Sequence, residues 1–217
     1  MNILQLLGLA CMIIILTIVC TCKTEYFNKE VAKKQEVYRH VLKTTIDVLD
    51  DLKIPHFLSS GTCLGYARER NFIEHDYDID IGIRDSDCES ITDLVQAMHD
   101  AGMHLYRILG SAETGIELSF YNPIGAKVDI FIHKLGKSDG KLCWYSYDKT
   151  KTRKLEYCVS DFDVAEVDFL GLKVNVPDPV TKYLQEHYGK DWRIPRGTGI
   201  LGGYSYDSSP KSLTLTT

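Results

Sequence analysis

The sequence predicts an α+β fold, a mixed β-sheet flanked by helices, with an N-terminal transmembrane helix. Three observations predict it. Apolar residues recur near a 3.6-residue period in segments 26–53 and 86–101, the mark of amphipathic helices. A series of short runs between residues 56 and 176 alternates or is β-branched and aromatic, the mark of strands. Finally, Ile3 to Cys22 carries no charged residue, and such a run spans about 30 Å as a helix, the thickness of a bilayer core.

That first segment has two readings. One is an uncleaved signal anchor with the rest of the chain luminal. The other is a cleaved signal peptide, with Val19 and Thr21 before the cut and a secreted product. The run is longer than the roughly 7–15 apolar residues of a signal-peptide core, so the anchor is expected. Lys23, Lys29, Lys33 and Lys34 follow the run and none precedes it; the positive-inside rule pulls the other way. The domain plan is therefore an anchor over 1–22, a short stem and leading helix over 23–54, the principal domain over 55–196, and a flexible tail over 197–217.

In the leading helix Val37, Val41, Val48, Leu49 and Leu52 share a face, and Pro55 ends it. Phe57 to Ser60 is a short strand running into Gly61, and Thr62 to Arg70 a short helix or turn. Asp78 to Ile83 is a strand. Ser86 to Ala101 is a helix with Ser86 or Asp87 as N-cap and Gly102 as its stop. His104–Leu109, Gly115–Tyr121 and Ala126–His133 read as consecutive strands. Leu142–Tyr147, Leu155–Val159, Val164–Phe169 and Leu172–Val176 read as further short ones, and Asp178–His187 as a late helix. From Gly197 the chain is rich in Gly, Ser and Thr, which predicts a loose segment.

Composition narrows the partners. The 217 residues carry a formal net charge of -5, all of it after residue 22. A mildly acidic domain binds nucleic acid and anionic lipid poorly, so no nucleic acid is expected. Cys63, Cys88, Cys143 and Cys158 lie in the principal domain without zinc-finger spacing. They allow up to two disulfides or buried free thiols. No Asn-x-Ser/Thr acceptor occurs.

The chemistry is concentrated in His75-Asp76-Tyr77-Asp78-Ile79-Asp80-Ile81-Gly82-Ile83. On a strand, Ile79, Ile81 and Ile83 take one face and Asp78, Asp80 and Gly82 the other. The two carboxylates are then about 7 Å apart along the strand. Like charges so close call for a cation between them, and oxygen ligands suit Mg²⁺ or Mn²⁺. An EF-hand loop starting at Asp76 would need Gly at 81 and Glu at 87; Ile81 and Asp87 stand there. In Lys127-Val128-Asp129-Ile130-Phe131-Ile132, a lone Asp129 interrupts a strong β run. A buried unpaired carboxylate is costly, so Asp129 is expected beside Asp78 and Asp80 on a neighbouring strand. Upstream, Ser59 to Gly65 is a small-residue turn into a helix. Free N–H groups there favour phosphate, with Ser60, Gly61 and Thr62 as the cradle and Arg68 or Arg70 within reach. His75 is expected at the surface or behind the metal ligands. Tyr188 and Trp192 are expected to pack the late helix on the sheet, or to stack on a base or sugar. Packing accounts for Cys63.

Leu58 to Arg68, the acidic strand, Lys127 to Ile132, and Val176 to Pro195 together resemble the LicD family, most of all its fukutin group; Glu117 to Phe120 adds to the likeness. The resemblance implies a nucleotidyltransferase-like fold and an enzyme that transfers phosphorus-containing groups. It carries an alcohol phosphate (ribitol 5-phosphate or phosphocholine) from a CDP-alcohol donor to a glycan or glycoprotein acceptor. It implies a Golgi or endoplasmic reticulum membrane protein, single-pass type II, with the catalytic domain luminal. The family's metal acids fall on Asp78, Asp80 and Asp129, with Asp76 near them, its glycine turn on Gly61 and Gly65, and its C-terminal signature on Tyr188, Gly189, Trp192 and Pro195. His75 and Tyr77 depart from the family pattern, and the large stem of animal fukutins is not matched. Two other functions fit the same acids less fully. One is a metal-dependent glycosyltransferase using an Asp-x-Asp pair, and the other a silent membrane-held scaffold.

Overall fold

The computed structural model of the chain describes residues 29–111, 115–136, 140–147, 153–195 and 211–214. The chain divides into two compact units, Met1–Val37 and Tyr38–Thr217. In the first, the described residues 29–37 are helical. The expected anchor at 1–22 lies outside the described residues, and no helix among the described residues is long and apolar enough to cross a membrane.

The second unit opens with helix α1 (38–51), whose Val41, Leu42, Ile46 and Leu49 are buried. Strand β1 (His56–Leu58), helix α2 (Ser60–Glu69) and strand β2 (Ile79–Arg84) follow. The expected helix over 86–101 is divided. A 3-10 turn takes Asp85–Asp87, and helix α3 is Ile91–Asp100. Its cap is Ser90, whose side chain accepts the Asp93 N–H, and not Ser86 or Asp87. Gly102 ends it at φ 81°, a conformation glycine adopts without a Cβ clash.

Strands β3 (His104–Ser111), β4 (Gly115–Asn122), β5 (Ala126–Leu135), β6 (Lys141–Tyr147) and β7 (Arg153–Ser160) come next. A hairpin of β8 (Asp163–Phe169) and β9 (Leu172–Asp178) and helix α4 (Val180–Tyr188) follow. Within the stretch expected to be a loose tail, strand β10 (Lys211–Thr214) pairs antiparallel with β7. The main sheet runs β1-β2-β5-β6-β7-β10, with β4 also on β5 and β3 on β4. It is mixed: β2 and β5 are parallel, and the other pairings are antiparallel.

The parallel pair is buried on both faces, as such strands generally are. On one face Ile79, Ile81 and Ile83 meet Val128, Ile130 and Ile132, all buried with Leu118 and Phe120. The opposite face carries Asp80 and Gly82 on β2, Lys127, Asp129, Phe131 and His133 on β5, and Phe57 opposite Gly82. Gly82 is required there: a Cβ would lie 2.3 Å from the Phe57 ring. Helices α2 and α4 are joined through Tyr183, whose hydroxyl oxygen accepts the Ser60 N–H at 3.0 Å and bonds the Ser59 hydroxyl at 3.0 Å.

Candidate active site

Parallel register puts Asp80 directly beside Asp129. Partners in register point to the same face, so alternation and strand order together bring these carboxylates to one spot. Asp80 is laced to the start of α2. Its Oδ2 accepts the Gly61 N–H at 2.7 Å, its N–H donates to the Thr62 hydroxyl at 2.8 Å, and its carbonyl accepts the Ser59 N–H at 3.0 Å. Asp76 and Asp78 precede β2. The Asp76 N–H donates to the Ile73 carbonyl at 3.1 Å, which turns the chain, and Asp76 Oδ1 accepts the Tyr77 N–H at 3.0 Å. One carboxylate oxygen from each of Asp76, Asp78 and Asp80 lies within 4.8 Å of the others.

Lys127, two residues before Asp129 on the same face, ties the group together. Its ammonium lies 2.9 Å from Asp78 Oδ2 and 2.7 Å from Asp129 Oδ2. Among the described residues, the other Asp129 oxygen, Oδ1, is buried with no hydrogen-bond partner. Burial raises the Asp80 carboxyl well above the ordinary value, and Asp78, Asp76 and Asp129 push the same way against the Gly61 N–H. Burial also raises Asp129, with Lys127 opposing. Burial lowers the Lys127 ammonium, but the Asp129 and Asp78 carboxylates outweigh it and the net shift is upward.

These acids line a cleft of about 220 Å³, together with Ser60 and Gly61. The same lining includes the rings of Phe131, Trp144, Tyr157, His187 and Tyr188. Trp144 and Tyr157 are cross-strand partners on β6 and β7, stacked with centroids 5.5 Å apart. The Cys143–Cys158 disulfide joins the adjacent register pair and clamps this wall. Burial lowers the His187 pKa to about 3, so its imidazole is neutral at physiological pH.

The structure brings together Asp78, Asp80 and Asp129, with Asp76 near them as expected, and adds Lys127. It does not leave the start of α2 as an open phosphate cradle. The Ser60 N–H is taken by Tyr183 and the Gly61 N–H by Asp80. Thr62 is buried, with its hydroxyl on the Asp80 backbone. Gly65 has a packing role, since a Cβ there would lie 2.5 Å from the Asn71 carbonyl oxygen. Arg68 is paired with Glu69 at 2.6 Å and is not part of the cleft lining. Arg70 lies over the Tyr66 ring, and His75 is exposed. Tyr188 lines the cleft, whereas Trp192 is buried beneath Arg193. Cys63 is buried and unpaired with another cysteine, and burial pushes its thiol up, which leaves it unreactive.

Sequence reasoning missed Lys127, Trp144, Tyr157 and Tyr183. Lys127 was detectable, because period two puts it on the Asp129 face. So was the aromatic pair: Cys143-Trp144 and Tyr157-Cys158 are mirror images, as antiparallel partners are. Tyr183 meets Ser60 across a separation of 123 residues, and no local pattern marks it.

Fold and cleft define an α+β domain whose central parallel strands present clustered carboxylates to a pocket that is also lined by aromatic rings. Residues 53–179 match the family described as LicD/FKTN/FKRP, nucleotidyltransferase domain, and the chain belongs to that family. It is 35% identical over 158 residues to a protein named ribitol-5-phosphate transferase FKTN from Macaca fascicularis, covering 72% of this chain and 33% of the relative. The Homo sapiens protein of the same name is 34% identical over the same shares. The chain thus spans about a third of the length of these relatives. Among solved structures, the lincomycin-bound lincosamide antibiotic adenylyltransferase LnuA superposes with a TM-score of 0.41 at 15% identity, over 63% of this chain and 77% of that one.

Proposed function

We propose that this chain is a divalent-cation-dependent phosphotransferase. It moves an alcohol phosphate, of ribitol 5-phosphate or phosphocholine type, from a CDP-linked donor to a glycan or glycoprotein hydroxyl and releases CMP. The observation that carries this reading is the cluster of Asp76, Asp78 and Asp80, with Asp129 in register beside Asp80. The relatives named ribitol-5-phosphate transferase favour ribitol as the alcohol.

The donor set fits Mg²⁺ or Mn²⁺: it consists of carboxylate oxygens, and one of them, from Asp80, is buried beside like charges. Asp76, Asp78 and Asp80 would hold the ion. Bound there, it would neutralise charge on the diphosphate oxygens of the donor, most of what phosphoryl transfer requires. Asp129 accepts the proton of the acceptor hydroxyl at Oδ1, while Lys127 holds its Oδ2. The hydroxyl oxygen bonds to the phosphorus that bears the alcohol. The bond from that phosphorus to the bridging oxygen breaks, and CMP leaves with the electron pair. Tyr157 and Tyr188, half-buried in the lining, offer aromatic surface to the pyrimidine, and the buried Trp144 backs Tyr157.

A luminal placement in the Golgi or endoplasmic reticulum, held by the apolar segment 3–22, accompanies this reading. The disulfide supports it, since such bonds persist in oxidising compartments. The test is mass analysis of products from CDP-ribitol, CDP-choline and a UDP-sugar panel with a glycan acceptor mixture. A mass gain of one alcohol phosphate that requires Mg²⁺ supports the proposal. Transfer of a sugar from a UDP donor would replace it with the glycosyltransferase reading.

A further inference from the structure

Lys127 has a place beside the clustered acids that a structural lysine does not need. It is 29% exposed and stands on the acid face of β5, with its ammonium at hydrogen-bond distance from the carboxylates of Asp78 and Asp129. Asp78 comes from the segment before β2 and Asp129 from β5, so Lys127 bridges the two sides of the cluster. A second divalent ion shared by Asp78 and Asp129 would compete with the ammonium for Asp78 Oδ2 and Asp129 Oδ2. Such an ion takes oxygen ligands at about 2.0–2.1 Å, which would set the ammonium beside it as a like charge. Charge points the same way. Asp76, Asp78, Asp80 and Asp129 all line the cleft; the Lys127 ammonium and one divalent ion already offset three of their four charges.

We infer that Lys127 is a resident cation standing in for a second metal, so that the centre holds one divalent ion, on Asp76, Asp78 and Asp80. The inference rests on the cation reading proposed above and deepens it. Lys127 is then a positioning residue. It holds Asp78 beside Asp80 and fixes Asp129 through Oδ2.

Mn²⁺ titrated into the full chain, with the free ion counted by electron paramagnetic resonance, tests this without any turnover. The wild-type chain is expected to bind one Mn²⁺. Lys127→Met and Lys127→Gln, each checked for its fold by circular dichroism, are expected to bind two, with the exchange-broadened spectrum of a close pair. Lys127→Arg is expected to bind one. Two ions in the wild-type chain would overturn the inference and leave the cation centre standing, even if both neutral variants failed to fold. A count of one in a folded neutral variant would overturn it as well. No binding by the wild-type chain would overturn both the inference and the cation reading beneath it.

Discussion

Gly61→Ala separates the cation site from the fold. A Cβ at Gly61 would lie 2.5 Å from Asp76 Oδ2 and 3.1 Å from Asp80 Oδ2. Ordinary carbon–oxygen contacts lie at about 3.3 Å or more, so the Asp76 carboxylate must retreat by about 0.8 Å. It is the one that moves, because Asp80 is pinned by the Gly61 N–H and buried, whereas Asp76 is half-buried. The retreat pulls one carboxylate out of a set whose oxygens lie within 4.8 Å of one another. Disturbing such supporting geometry at metal sites costs about 10–100-fold in affinity, or about 1.4–2.7 kcal/mol. The fold, by contrast, loses little. Gly61 is the second residue of α2, and alanine in a helix gains up to about 1 kcal/mol over glycine. Mn²⁺ titration and thermal denaturation of the variant are the assays. The expected result is at least tenfold weaker binding with a melting midpoint at or above that of the wild-type chain. Wild-type affinity in the variant would refute the placement of Asp76 in the site.

Other outcomes follow from the same geometry. Asp80→Asn should raise the melting midpoint at pH 7 while abolishing cation binding. Burial and neighbouring acids penalise the ionised carboxylate in the fold, and the amide oxygen can still accept the Gly61 N–H; a lowered midpoint would contradict this. Glu117, buried and paired with Arg107, is raised from 4.5 to about 6, chiefly by burial and then by Asp129. The folded state therefore holds this proton more tightly than the unfolded one. Its contribution to stability is full below about 4.5 and is lost as pH rises through about 6. That loss amounts to about 2 kcal/mol at about 1.4 kcal/mol per unit. Urea denaturation across this range should show the fall in the wild-type chain and a smaller one in Glu117→Gln. Replacing both Cys143 and Cys158 by serine opens a cross-link of sequence separation 15, which should cost about 3 kcal/mol by the chain-entropy relation. Tryptophan fluorescence should report a looser Trp144, and an unchanged urea midpoint would count against the clamp.

Much of the sheet was legible because strand periodicity is local. Alternation in Ile79 to Ile83 and in Val128 to Ile132 assigns each side chain to a face, and the costly Asp129 in an apolar run signals a partner. Asp76 joins the carboxylate cluster through a turn, not a repeat. Its approach to Gly61 depends on the Ile73 carbonyl catching the Asp76 N–H, which no period encodes. The misread cradle has a clear cause. Helix N-termini leave N–H groups unsatisfied, and the sequence shows that such groups exist but not what satisfies them. Here a carboxylate from β2 and a tyrosine from α4 do so. The late strand β10 lies in a segment read by its Gly, Ser and Thr content; the alternation from Ser212 to Thr216 is a local strand signal that this reading passed over, and β7 offers the edge it pairs with.

The central claim is that the clustered carboxylates bind a cation that in turn holds a cytidine nucleotide. Calorimetric titration of the full chain with CMP, in Mg²⁺ and in EDTA, tests it most directly. The account predicts binding in Mg²⁺, at least tenfold weaker binding in EDTA, and no Mg²⁺ effect in Asp80→Asn. Equal CMP affinity with and without the metal would contradict it.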